Sequence, residues 1–100
     1  MDELTKVAKF YDVSIKTIAP IKTRQIKIFF RNGYGISVIC GPYSYGGYRG
    51  LLEVALLYDN DLIYDAEIGF DSVIGYQTFE DVLRIAEQVQ KATPIVTNRG

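Results

Sequence analysis

Residues 51–58 read Leu-Leu-Glu-Val-Ala-Leu-Leu-Tyr, the most apolar run of the chain. Gly50 stands before it and Asp59-Asn60-Asp61 after it, so turn-forming residues bound it on both sides. Leucine and alanine favour helix. A run this short between two turns is nevertheless poor material for one, since short helices seldom hold alone. A continuous apolar segment so bounded is the pattern of a central strand.

The neighbours of this strand follow from alternation. Residues 62–65 (LIYD) are expected to pair back across an Asn60-Asp61 turn. Upstream, residues 24–31 (RQIKIFFR) place Ile26, Ile28 and Phe30 on one face and Gln25, Lys27, Phe29 and Arg31 on the other. Asn32-Gly33 tolerates the positive φ angles of a tight hairpin turn. It therefore predicts a hairpin of 24–31 with 35–40, in which Ile36, Val38 and Cys40 face the core. The segments 24–31, 35–40, 51–58 and 62–65 thus form a four-stranded antiparallel meander. Residues 13–19 partly alternate, and Pro20 lacks the N–H that an inner strand needs, so any strand there sits at an edge. Residues 66–77 read as a connection that brings Ile74-Gly75-Tyr76 against the sheet edge.

Two segments carry helical spacing. Phe79, Val82, Leu83, Ala86 and Val89 form one apolar stripe over a C-terminal helix of about 79–92. Thr78 can cap its first turn, and Asp81 completes a variant of the capping box. Thr93-Pro94 ends it, because the residue before proline disfavours the helical region. Leu4, Val7, Ala8 and Tyr11 give a short N-terminal helix over 2–11, with Asp2 and Glu3 suited to its first turn. A half-buried sheet must cover its apolar face, and the C-terminal helix supplies the cover. The fold class is α+β, one domain over residues 1–94 with a tail at 95–100.

The bulk numbers narrow the function classes. With 48% hydrophobic and 23% charged residues, the chain is ordinary for a folded domain. The net charge of −1 does not suggest a nucleic-acid partner. Charge is unevenly spread: residues 1–31 hold seven bases against three acids, residues 59–87 eight acids against Arg84. The halves either neutralise each other side by side or form a bipolar surface that orients a partner. One cysteine, Cys40, cannot form an internal disulfide, and it reads as a small buried apolar residue. The charged start is not a signal peptide, and no run approaches the ~18 residues of a membrane span. A reducing cytoplasm is the expected location.

Catalytic constellations are missing from the sequence. There is no histidine, and no serine sits in a G-x-S-x-G elbow. A pair such as Glu53 with Asp65 could face across strands, which the sequence leaves open. The acids of 59–67 (DNDLIYDAE) do not fit a calcium loop, so a solvated turn is expected and no metal or cofactor. The binding candidates lie in loops. Residues 41–50 (GPYSYGGYRG) offer Tyr43, Ser44, Tyr45, Tyr48 and Arg49, and the hairpin tip adds Arg31 and Tyr34. Tyrosine and arginine are favoured anchors of protein contacts. Glycine amides with Arg49 are the alternative, a cradle for an anionic nucleotide-like ligand. It is not a P-loop, for the G-x-x-x-x-G-K-[ST] pattern is lacking.

Three stretches carry a resemblance. Asn32 to Val38 match N-G-Y-G-x-S-V, Ser44 to Ala55 match S-Y-G-G-x-x-G-L-x-E-V-A, and Asp71 to Val82 match D-x-V/I-I-G-Y-x-T/S-x-x-D-V. Over residues 32–89 the chain resembles a group of small uncharacterised bacteriophage and prophage proteins. Ala66-Glu67 stands where that group has Thr-Pro, and the first 20 residues lie outside the match. The resemblance implies a phage or prophage origin and no particular activity. The expectation is an accessory protein that binds a host or phage protein through the 41–50 loop. Four strands leave two edges, and an edge can pair with its own copy, so a homodimer is among the assemblies expected.

Overall fold

The computed structural model describes residues 1–19 and 21–95. Pro20 and residues 96–100, which include nearly all of the expected tail, lie outside the described residues. The strands are β1 (Lys16–Ile18), β2 (Thr23–Phe29), β3 (Tyr34–Cys40), β4 (Leu52–Tyr58), β5 (Asp61–Ile63) and β6 (Ile74–Gln77); the helices are α1 (Glu3–Tyr11) and α2 (Phe79–Gln90). The apolar run is extended and inside, as its flanks predict. Leu52, Val54 and Leu56 of β4 are buried. The fold class is α+β, with an antiparallel sheet covered on one face by helices.

The four meander strands are β2 to β5, and two short strands join them. β1 adds to β2 at one edge. The other edge of β4 is shared: β5 pairs with its second half and β6 with its first. Register builds the core in rows, Ile26–Val38–Val54 and Ile28–Ile36–Leu56. Each row sets β-branched or leucine side chains opposite one another on one face, the unit of sheet stabilisation. Cys40 is buried at the end of that face, with its Sγ 3.9 Å from the Gly47 carbonyl oxygen.

Both turns differ from expectation by a residue. The β4–β5 turn is Asp59-Asn60, with φ of 51° and 67°, and not Asn60-Asp61. A two-residue hairpin turn needs both central residues left-handed, which Asp and Asn tolerate. β5 therefore begins at Asp61 and ends at Ile63, short of the 62–65 expected. At Asn32-Gly33 only Gly33 is left-handed, at φ 90°. The amide of Gly33 donates to the Phe30 carbonyl and that of Phe30 to Tyr34, which closes a longer loop with a bulge. Asn32 is not left-handed, and its side chain is fully engaged. Nδ2 donates to the carbonyls of Val89, Gln90 and Ala92, at 2.9, 3.2 and 3.0 Å, and Oδ1 accepts from the Tyr34 amide. The hairpin tip thus caps the C-terminus of α2, whose last carbonyls have no partner within the helix.

Two helices, not one, cover the sheet. Val82, Ala86 and Val89 of α2 and Leu4, Val7 and Ala8 of α1 are buried against it. Thr78 and Asp81 form the capping box. Asp2 caps α1 by accepting from the Thr5 amide at 2.9 Å. The two helix starts are joined: the Glu3 carboxylate accepts from the Phe79 amide at 3.1 Å. Phe70, from the connection, also enters the core. None of the helices among the described residues is long and apolar enough to cross a membrane.

Candidate functional site

The loop of residues 41–50 joins β3 to β4 and is folded tightly on itself. The Ser44 hydroxyl accepts from the Gly41 amide at 2.9 Å and donates to the Gly41 carbonyl at 3.0 Å. A 3-10 turn at Gly47–Arg49 follows, entered through Gly46 at φ 90°. A side chain at Gly46 would also press on the Tyr76 backbone, at 2.9 Å from its Cα. The loop is tied to the sheet at two points. The Tyr45 amide donates to Glu53 Oε1 at 2.9 Å, and the Tyr76 amide donates to the Tyr45 carbonyl at 3.1 Å.

This anchoring turns the backbone inward and the rings outward. Tyr43, Tyr45 and Tyr48 are 82, 60 and 75% exposed, and Arg49 is exposed beside them. Tyr76 of β6 joins the group. Its ring meets that of Tyr48 edge to face, with centroids 6.5 Å apart and planes at 87°. The contact with Tyr48 pushes the Tyr76 hydroxyl above the ordinary tyrosine range, and Arg49 is near enough to oppose part of that rise. Tyr76 sits at φ 59°, where an aromatic residue is rare, at the irregularity in the β4–β6 pairing. A strained residue persists only where its surroundings over-determine it. Here the hydrogen bond from its amide to Tyr45 does so.

The other sequence candidates divide. Ser44 is a staple of the loop and not a presented group. Tyr34 is 2% exposed, its ring packed edge-on against Tyr58 at 4.9 Å, so it cannot meet a partner. Burial raises its hydroxyl pKa. Arg31 is exposed, but at the hairpin tip. The seven residues of β3 separate that tip from the loop, which at ~3.3 Å per residue is roughly 20 Å. The site is therefore Tyr43, Tyr45, Tyr48 and Arg49 with Tyr76. Nothing local in the sequence links Tyr76 to a loop some thirty residues earlier.

The anion-cradle alternative needs free amides. Most of the loop's amides, those of Gly41, Ser44, Tyr45, Gly47, Arg49 and Gly50, already donate within the protein. The carboxylate of Glu53 moreover lies under the loop. Glu53 does not face Asp65 either: it stands opposite Ile39, and Asp65 caps a short turn by accepting from the Glu67 amide. Among the described residues, no group of three or more His, Cys, Asp or Glu gathers as a metal site.

A second feature escapes sequence reading. The sheet face opposite the helices holds a concave groove of about 480 Å³. Small residues floor its middle, where Ser37 stands opposite Ala55. Ile18, Ile21 and Leu62 stand along it, and Glu53 links it to the tyrosine loop. Gln25 Nε2 donates to Ser37 Oγ at 2.9 Å, and Lys27 Nζ reaches over the face to Asn60 Oδ1 at 3.1 Å.

Comparison with protein-family models, with curated proteins and with solved structures finds no match. Function is therefore read from the surface chemistry of this chain.

Proposed function

We propose that this chain is a small phage-type accessory protein that acts by binding a host or phage protein through the tyrosine face of the 41–50 loop. One observation carries the reading: the loop ties most of its backbone amides inward and holds Tyr43, Tyr45, Tyr48 and Arg49 outward beside Tyr76. Such a patch loses little conformational freedom on binding, since tyrosine has few rotatable bonds and the backbone is already fixed. Tyrosine and arginine are the side chains most often found to dominate contact energy. The Tyr48–Tyr76 pair offers an apolar edge, and Arg49 a planar fork for a carboxylate. The partner surface that fits is an apolar side chain with an acidic neighbour. The resemblance of residues 32–89 to phage proteins supports the setting.

The test is quantitative co-precipitation of the full chain with host and phage lysates, followed by titration of the captured protein. Tyr48→Ala with Arg49→Ala should melt with the wild type, because exposed changes of this kind shift stability by no more than about 0.5 kcal/mol. Truncating a dominant anchor costs about 2 kcal/mol or more, so the double variant should bind at least ~30-fold more weakly. Equal affinity in the two proteins would refute the assignment.

A further inference from the structure

The groove on the open sheet face lies between edges of opposite charge. Residues 16–29, within which β1 and β2 lie, contain Lys16, Lys22, Arg24 and Lys27 and no acid. Residues 59–77, on the other side of β4, contain Asp59, Asp61, Asp65, Glu67 and Asp71 and no base; Asp61 alternates with Leu62 and so faces the helix side, which leaves the other four to define the acidic edge. The strand order places these two segments at opposite edges of one sheet. Arg24 is engaged on the helix side, 2.8 Å from Asp2, so the lysines define the basic edge. Lys16 and Lys27 stand at the open face itself. Between the edges lie the small-residue floor and the exposed side chains of Ile18, Ile21 and Leu62.

We infer that a second copy of this chain packs on this face, open face to open face, about a two-fold axis parallel to the strands. That operator sets the lysine edge of each copy over the acidic edge of the other. A two-fold running across the strands would set lysine on lysine and acid on acid. Two twisted sheets can pack in this aligned manner, with strand directions within about 30° of each other. Symmetry makes the contact self-complementary, so the apolar side chains of one copy enter the groove of the other. The three seven-residue strands with the shorter β1 and β5, about 4.8 Å apart, give roughly 400 Å² per copy. The total, roughly 800 Å², lies below the ~1,000 Å² of a stable specific interface, so the contact is of the weak, reversible class. Rim charges screened by salt then govern the assembly.

Sedimentation of the full chain from about 1 μM to 1 mM, at ~0.01 M and ~1 M salt, tests this. The wild type should dimerise at low salt and at least ~10-fold more weakly at high salt. Leu62→Asp, at an exposed position, should melt normally and stay monomeric. Lys16→Glu/Lys27→Glu and Glu67→Lys/Asp71→Lys should each be monomeric alone, yet pair when mixed. A wild type monomeric throughout, a dimer that survives Leu62→Asp, or charge variants that never pair would each overturn the inference. A monomeric wild type whose captured partner is lost on Leu62→Asp would assign the face to that partner instead. Tyr48→Ala/Arg49→Ala should leave the dimer intact, so this inference and the proposed function fail separately.

Discussion

Replacing Asn32 with Asp tests whether the hairpin tip holds the end of α2. The two side chains have nearly the same shape, and the acceptor for the Tyr34 amide is kept. What changes is Nδ2, whose two protons serve the carbonyls of Val89, Gln90 and Ala92. At about 0.5–1.5 kcal/mol net per hydrogen bond, losing both donors costs roughly 1–3 kcal/mol. The carboxylate also faces the negative end of the helix, which adds about 0.3–1 kcal/mol. The sum, about 1.3–4 kcal/mol, is a sizeable share of the ~5–15 kcal/mol that holds a domain folded. At about 4–8 °C per kcal/mol, Tm should fall by at least ~5 °C at pH 7. The sign with pH is fixed by the same geometry. A carboxyl facing carbonyls is favoured in its protonated form, so its pKa in the folded state is raised. Its penalty is full at neutral pH and shrinks as pH falls through that raised value, because the acid then donates as the amide did. Urea unfolding followed by circular dichroism at pH 7 and near pH 4 reads both effects. A variant as stable as the wild type at pH 7, or a deficit that ignores pH, would show that the contacts of Asn32 do not hold the helix.

Two further perturbations probe local devices. Thr78→Ala should cost about 1 kcal/mol by opening the capping box; the Thr78 hydrogen bonds hold the Asp81 carboxyl below its usual range, so that contribution is present above the ordinary carboxylate pKa and is lost as pH falls through the lowered folded value. Urea midpoints for the wild type and Asp81→Asn between about pH 2 and pH 6 should converge toward the acid end. Gly47→Ala would drive a methyl group into the Gly41 carbonyl and the Ser44 hydroxyl, so it should abolish partner capture while the circular dichroism of sheet and helices stays near that of the wild type.

Much of the fold was legible because one face of each element repeats a period. The leucine run of β4, the alternation of Ile26 and Ile28 with Ile36, Val38 and Cys40, and the Thr78–Asp81 box are all local signals, and the structure holds each of them. What was illegible depends on register and distance. Tyr34 looked exposed at a hairpin tip, yet pairing places it opposite Tyr58 and buries it. Asn32 looked like a turn residue, and its partners are more than fifty residues away. Within the site, the tyrosines of the loop were visible as composition. Tyr76 was not, because only the irregular pairing of β6 with β4 brings its ring to Tyr48. The groove is invisible for the same reason: Ser37 and Ala55 become one floor only once the strands are aligned.

The bond between Glu3 and the Phe79 amide joins α1 to an element made some seventy residues later. During synthesis the β2–β4 meander is complete once Tyr58 is available, whereas α2 must wait for a further 32 or so residues up to Gln90. At about 5–20 residues per second that interval lasts roughly 2–6 s. For that time Ile26, Ile36, Val54 and their neighbours have only α1 to shield them from water. A ribosome stalled in this stretch carries an uncovered sheet with an unpaired edge, the kind of surface that chaperones grip and that neighbouring nascent chains join.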